Sequence, residues 1–216
     1  MKSVLVVYSG GLDSYTLLNK AMSAFEKVEA ITFNYGQKHK IEIEYAKAAC
    51  EQLGIAHEIV NLDLKKILAG SALVGDSDIP EGNYDKEKMK QTVVPTRNMV
   101  MISVAASLAI KNKLDYLWYA AHSGDHEIYP DCRPEFIAKM AEVLSICDYH
   151  KINFEAPFQD LSKAEIIKVG LDMNLDYSRA WTCYEGKEKP CGKCSACLER
   201  AASFKANQVN DPLDEL

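Results

Sequence analysis

The chain has 216 residues, a formal net charge of -6 and 26% charged residues, so it is long enough for a sizeable buried core and too acidic to grip nucleic acid mainly through phosphates. No apolar run reaches the length of a membrane span, and Met1-Lys2-Ser3-Val4 leads straight into an apolar run with no signal peptide ahead of it, so a cytoplasmic protein without a membrane partner is expected. Seven cysteines in a reducing compartment point to metal binding or chemistry before disulfides.

Val4-Leu5-Val6-Val7 reads as a buried strand, and Tyr15–Met22 as the first turns of a helix. Between them lies Tyr8-Ser9-Gly10-Gly11-Leu12-Asp13-Ser14. A strand, a glycine turn and a helix start gather backbone N–H groups and the positive end of a helix dipole into one small volume, which suits phosphate. Ser9 and Ser14 add hydroxyls, and Asp13 is placed to cap the helix. The loop is neither G-x-x-x-x-G-K-[ST] nor G-x-G-x-x-G; an ordinary serine–glycine turn is the bland alternative.

Val28–Tyr35 reads as a second strand ending at Gly36, with Gln37, Lys38 and His39 after it. Ile41, Tyr45, Ala48, Ala49 and Leu53 make one face of a helix that Gly54 stops, and His57–Leu62 is a third strand. Alternating strands and helices imply crossover connections, a parallel sheet, and a ligand cleft at the strands' carboxyl ends. From Lys65 to Gln91 the periodicity is lost, as expected of a lid over the cleft or of a disordered segment.

Val94-Pro95-Thr96-Arg97-Asn98 leads into a helix over Met99–Lys111, apolar nearly all round and expected to be buried. A fourth strand spans Asp115–His122. After the loop that carries Asp131, Cys132 and Arg133, Pro134 opens a helix with the stripe Phe136, Ile137, Met140, Val143, Leu144 and Cys147. Ile152–Phe158 is a fifth strand, and Ser162-x-x-Glu165 is a capping box opening a helix from Lys163 to about Asn174. One body over 1–177 and a cysteine-built region over 178–216 packed on it complete the plan.

Cys183, Cys191, Cys194 and Cys197 have the spacing C-x7-C-x2-C-x2-C. Four thiolates suit one tetrahedral zinc with no open position, hence a structural site; an iron–sulfur cluster is the other metal reading. Cys50 and Cys147 fit as small core residues. Cys132 is either a cleft nucleophile or a plain loop thiol.

The pattern Ser-Gly-Gly-x-Asp-Ser resembles the PP-loop of the N-type ATP pyrophosphatases. Joined to the cysteine cluster and to Phe33–His39, Val94–Asn98, Tyr129–Phe136 and Trp181–Tyr184, it resembles the 7-cyano-7-deazaguanine synthase family over nearly the whole chain. Leu12 and the loop Ala121–His126 depart from the family pattern as expected here. The resemblance implies a five-stranded parallel sheet with helices on both faces, Rossmann-like and of the adenine-nucleotide alpha-hydrolase type. It implies ATP-dependent conversion of 7-carboxy-7-deazaguanine and ammonia to the nitrile, through an acyl adenylate and an amide, in queuosine or deazapurine biosynthesis. Magnesium is expected on the phosphates. The implied ATP site covers Tyr8, Ser9, Gly10, Gly11, Leu12, Asp13, Ser14, Tyr15, Thr16, Leu17 and Leu18. The implied substrate site draws on Tyr35, Gln37, His39, Arg97, Asn98, Asp131 and Arg133, with Lys163 a further cation and Phe136 a further aromatic. Surface salt bridges, loop hydrogen bonds and core packing are the alternatives for these side chains. Other amidating or tRNA-modifying PP-loop enzymes, and a zinc-ribbon interaction module, are the rival functions. The oligomeric state stays open, a homodimer included.

Overall fold

The computed structural model describes residues 2–64, 71–74, 78–79, 82 and 90–213. Strands β1 (Ser3–Val7), β2 (Lys27–Asn34), β3 (Ala56–Asn61), β4 (Tyr116–Trp118) and β5 (Asn153–Glu155) form one parallel sheet, ordered β3-β2-β1-β4-β5. Helices α1 (Leu12–Ala24), α2 (Ile41–Leu53), α3 (Arg97–Lys111), α4 (Pro134–Leu144), α5 (Lys163–Asp172) and α6 (Ser195–Ala206) surround it. Register pairs Val4 with Val28 and with Tyr116, which places β1 at the centre. The chain lays down β1, β2 and β3 in one direction and β4 and β5 in the other. A crevice therefore opens at the carboxyl ends of β1 and β4, where the winding reverses.

Alternation along β1 builds two cores. Leu5 packs with Ile31, Leu117, Ile102, Ala105 and Ile137 on one face. Val4 and Val6 pack with Leu17, Leu18, Ile166 and Ile167 on the other. Each such fully buried side chain contributes about 1.5–3 kcal/mol, and covering both faces is what a parallel sheet requires. The cysteine region joins both cores, through Trp181 and Cys183 in one and Phe204 in the other. Arg200 fastens it. Its guanidinium donates to Asp211, Ala180 O, Tyr177 O and Thr182 Oγ1, all within 3.0 Å.

The capping box forms as its sequence predicts: Ser162 Oγ accepts from Glu165 N, and Glu165 Oε2 accepts from Ser162 N at 2.7 Å. Gly54 ends α2 in the left-handed conformation. Five expectations need correction. The fourth and fifth strands pair over three residues each, because the chain beyond Trp118 turns into the crevice and β5, among the described residues, is an edge strand bonded to β4 alone. The buried face of α2 is Ile43, Ala46, Ala49 and Cys50, with Ala48 exposed; its small residues let the loop after β1 lie directly on the helix backbone. Helix α3 is not buried all round: Met99, Ser103, Ser107 and Lys111 form an exposed stripe. Cys50 is core, but α4 stops at Leu144, so Cys147 lies beyond it and is exposed, as is Val143. Asp13 does not cap α1; Gly11 is the N-cap residue, and Asp13 lies within the first turn. Most of the lid expected over 65–91 lies outside the described residues. Of the described part, Ala72, Leu73, Val74 and Ile79 are buried in the core.

Candidate active site

A cavity opens where the sheet order predicts. The loop after β1 forms one end, and the N-terminus of α3 with its tyrosines forms the other. Gly10 takes φ +88°, and a Cβ there would lie 2.0 Å from Glu42 O. Only glycine lets this loop both turn and rest on α2. Ser9 and Ser14 brace it: Ser14 Oγ accepts from Ser9 N and donates to Gly11 O, and Ser9 Oγ accepts from Gly11 N, all at 3.0–3.2 Å. The N–H groups of the first turn of α1 have no partner within the helix, as at any helix start, and can serve an anion. Of the eleven residues expected to hold nucleotide, Tyr8, Ser9, Gly11, Asp13 and Ser14 line the cavity. Gly10 is buried against α2, and Leu12, Tyr15, Thr16, Leu17 and Leu18 pack into the core, with Thr16 Oγ1 bonded to Tyr177 OH at 2.8 Å.

Beside the loop lies a charged group that sequence reading missed apart from Asp13 and Lys163. Lys163 Nζ is 2.7 Å from Glu199 Oε2 and 3.4 Å from Asp13 Oδ2. Burial opposes the charge on Lys163, but Asp13, Glu199 and Asp125 outweigh it and hold the ammonium above the ordinary lysine value. His122 Nδ1 accepts from Gly124 N at 3.1 Å. Its hydrogen is therefore on Nε2, 3.4 Å from Asp125 Oδ2 and 3.7 Å from Asp13 Oδ2. Burial pushes the Asp125 carboxyl up. Asp13 Oδ1 is buried without a hydrogen-bond partner among the described residues. No spacing in the sequence joins residues 13, 122, 125, 163 and 199; the fold alone assembles them.

At the other end stands Arg97. Thr96 before it holds φ +54°, uncommon for a β-branched residue and a form of strain that clusters at functional sites. That turn starts α3 with Arg97 and Asn98 facing the cavity. Arg97 donates to Tyr35 OH at 3.2 Å, with its guanidinium carbon 5.6 Å from the Tyr35 ring centroid. Phe33, Met101, Tyr119, Tyr129 and Tyr184 complete an aromatic and apolar wall. Asp131 accepts from Asn98 N at 3.2 Å, so it caps α3 from the neighbouring loop. Cys132 is buried, takes a hydrogen bond from Asn98 Nδ2 at 3.4 Å, and has its thiol pushed up by burial, which favours a plain thiol over a nucleophile. Arg133 is exposed, donates to His126 O at 2.8 Å and does not line the cavity; nor does half-buried Phe136.

Gln37 is fully buried and spends its amide on the loop, accepting from Tyr35 N and donating to Phe33 O and Glu42 Oε1. His39 and Glu42 do line the cavity. Burial brings His39 down to about 4 and Glu42 up to about 8. Glu42 passes in sequence for an acidic residue in a helix's first turn, and only its burial marks it out.

The sulfurs of Cys183, Cys191, Cys194 and Cys197 lie within 4.8 Å of one another, unbridged, and could hold one metal ion. The segment carrying them is tied to the loop: Trp181 pairs with Gly11, and Trp181 N donates to Gly10 O at 2.9 Å. Among the described residues, no helix is long and apolar enough to cross a membrane.

The family model described as queuosine biosynthesis protein QueC matches residues 3–208. A 7-cyano-7-deazaguanine synthase from Alteromonas mediterranea is 50% identical over 214 residues, covering 99% of this chain and 98% of that one. One from Marinomonas sp. is likewise 50% identical over 214 residues, with the same coverage. Among solved structures, NMN synthetase from Francisella tularensis aligns over 97% of this chain and 78% of its own, with TM-score 0.52 and 10% identity. A predicted subunit of tRNA methyltransferase from Methanocaldococcus jannaschii aligns over 80% and 76%, with TM-score 0.50 and 18% identity. At those identities the likeness is one of fold.

Proposed function

Because this chain belongs to the QueC family of queuosine biosynthesis proteins, we propose that it converts 7-carboxy-7-deazaguanine, ammonia and ATP to 7-cyano-7-deazaguanine. The observation that carries the reading is one cavity with a phosphate-type loop at one end and a half-buried arginine among tyrosines at the other. A reaction that joins a nucleotide's α-phosphate to a flat anionic acid needs both in one space.

ATP lies with its phosphates on Ser9, Gly11 and Ser14 at the start of α1, where the amides and the helix dipole favour negative charge. Arg97 neutralises the carboxylate of the acid, and Tyr35, Tyr119 and Tyr129 enclose its ring. A carboxylate repels nucleophiles. Attack of its oxygen on the α-phosphorus releases pyrophosphate and leaves an acyl adenylate that ammonia can convert to the amide and AMP. Adenylation of the amide oxygen, with release of pyrophosphate and one N–H proton, then allows loss of AMP and the second proton to give the nitrile. The protein's share is placement and charge stabilisation.

Magnesium fits beside the phosphates: Asp13, whose Oδ1 has no partner among the described residues, and Asp125 would hold it. When bound, it screens phosphate charge. The four cysteines suit zinc, a full thiolate shell that anchors the C-terminal region. The reading calls for no nucleic acid and no membrane, and suits a cytoplasmic enzyme. Incubation with ATP, ammonium chloride and 7-carboxy-7-deazaguanine, followed by mass spectrometry, tests it: nitrile, AMP and pyrophosphate are expected. Adenylation of another acid, with no turnover of this one, overturns it.

A further inference from the structure

Resting on the nitrile-forming reading above, we propose that His39 and Glu42 form the seat for ammonia, the donor of the new nitrogen. His39 is 7% exposed and lines the cavity. Its Nε2 lies 3.4 Å from Glu42 Oε1, and its Nδ1 is buried with no partner among the described residues. Glu42 Oε1 already accepts from Gln37 Nε2 at 3.3 Å, and Gln37 is held in that orientation by Tyr35 N and Phe33 O. An oxygen arranged as an acceptor calls for the hydrogen of His39 on Nε2. That leaves Nδ1 as a bare lone pair.

A buried acceptor without a donor costs about 1–3 kcal/mol, so the site calls for a small ligand that brings N–H groups. Ammonia brings three and keeps a lone pair for attack. Ammonium keeps none, and burial together with the nearby charge of Arg97 disfavours a cation here. The seat is rigid. A Cβ on Gly186 would fall 2.6 Å from His39 Cα, so the loop after Cys183 presses on the histidine backbone. Tyr184 sets its ring 5.7 Å from the imidazole. In the step served, the nitrogen lone pair forms the C–N bond to the acyl carbon. The bond from that carbon to the AMP oxygen breaks with its electron pair going to AMP, and one proton leaves nitrogen for the departing AMP phosphate.

The test separates adenylation from amination. His39→Phe keeps the ring volume beside Tyr184 and removes the acceptor. With this variant, acid-dependent exchange of labelled pyrophosphate into ATP, which needs no ammonia, should fall by much less than amide formation does. The KM for ammonia, titrated as ammonium chloride at fixed pH, should rise about tenfold, the worth of one hydrogen bond. Glu42→Gln, which frees the imidazole tautomer, should raise it in the same direction. An unchanged KM in either folded variant, or exchange falling in step with amide formation, overturns the seat. Absence of acid-dependent exchange in the wild-type protein instead overturns the proposed reaction itself.

Discussion

The backbone N–H of Trp181 donates to the carbonyl of Gly10 at 2.9 Å, and Trp181 is fully buried. Cys183 follows two residues later. One hydrogen bond thus joins the cysteine cluster to the loop at the head of α1. Structural metal couples its binding to folding, so Cys194→Ala should lower zinc content, melting temperature and ATP affinity together. Elemental analysis, thermal melts and calorimetric titration check the three. Iron with inorganic sulfide in the wild type would overturn the zinc assignment, and unaltered ATP affinity in a metal-free variant would remove the coupling.

Gly10→Ala should be among the most damaging single-methyl changes. The added carbon meets Glu42 O, which is backbone and cannot swing aside, and alanine is strained at positive φ. A loss of about 1–3 kcal/mol in urea denaturation is expected, with ATP binding lost as the loop lifts from α2. An alanine variant of native stability would show that the loop does not rest on α2 as described.

Arg97 and Arg133 were equal candidates in sequence, and the structure separates them. Arg97→Ala should cut acid-dependent turnover about 100-fold or more, and Arg97→Lys should restore little, since a lysine cannot reproduce the planar fork beside Tyr35. Arg133→Ala removes an exposed side chain bonded to His126 O and should leave turnover near wild type. Equal losses in both would place the anionic substrate elsewhere.

Asp13→Asn should abolish AMP formation while circular dichroism and melting stay near wild type, because its carboxylate is half-buried at the mouth of the cavity rather than in the core. The wild-type nucleotide products should be AMP and pyrophosphate. ADP and phosphate in their place would sink the assignment of the loop.

Glu42 supplies a pH signature. Its folded value, about 8, lies above the ordinary carboxyl value, so the folded state binds more protons than the unfolded one between them, and stability falls as pH rises. His39 sits low, at about 4, and works in the opposite sense up to the ordinary imidazole value of 6.5. Of these two groups only Glu42 titrates from about pH 6.5 to 8, where the depressed Cys183 thiol works in the opposite sense. Across that window the stability of Glu42→Gln should therefore rise more, or fall less, with pH than that of wild type. Parallel pH profiles from chemical denaturation would contradict the burial of an ionisable Glu42.

What was legible came from local rules. The loop Ser9–Ser14, the capping box at Ser162 and the stop at Gly54 declare themselves because turn and cap chemistry acts over a few residues. The cysteine cluster is legible because metal geometry limits the spacing of its ligands. Gln37 and Asp131 left two readings open for a physical reason: a polar side chain in a loop near a cleft serves equally to bind a ligand or to brace the loop. Which it does depends on whether a backbone donor stands within reach. Here Tyr35 N claims Gln37, and Asn98 N claims Asp131.

By itself the sequence determined a parallel sheet, a phosphate-type loop on its first strand and a four-cysteine cluster, since hydrophobic period, glycine placement and ligand spacing are written in neighbouring residues. The tertiary structure alone decided that β4 lies beside β1, which sets Asp13, His122, Asp125, Lys163 and Glu199 around one point. It also decided that Arg97 enters the cavity while Arg133 faces solvent, and that His39 is left with a bare Nδ1. Those outcomes rest on contacts between residues far apart in the chain, and on burial, which no short window of sequence contains.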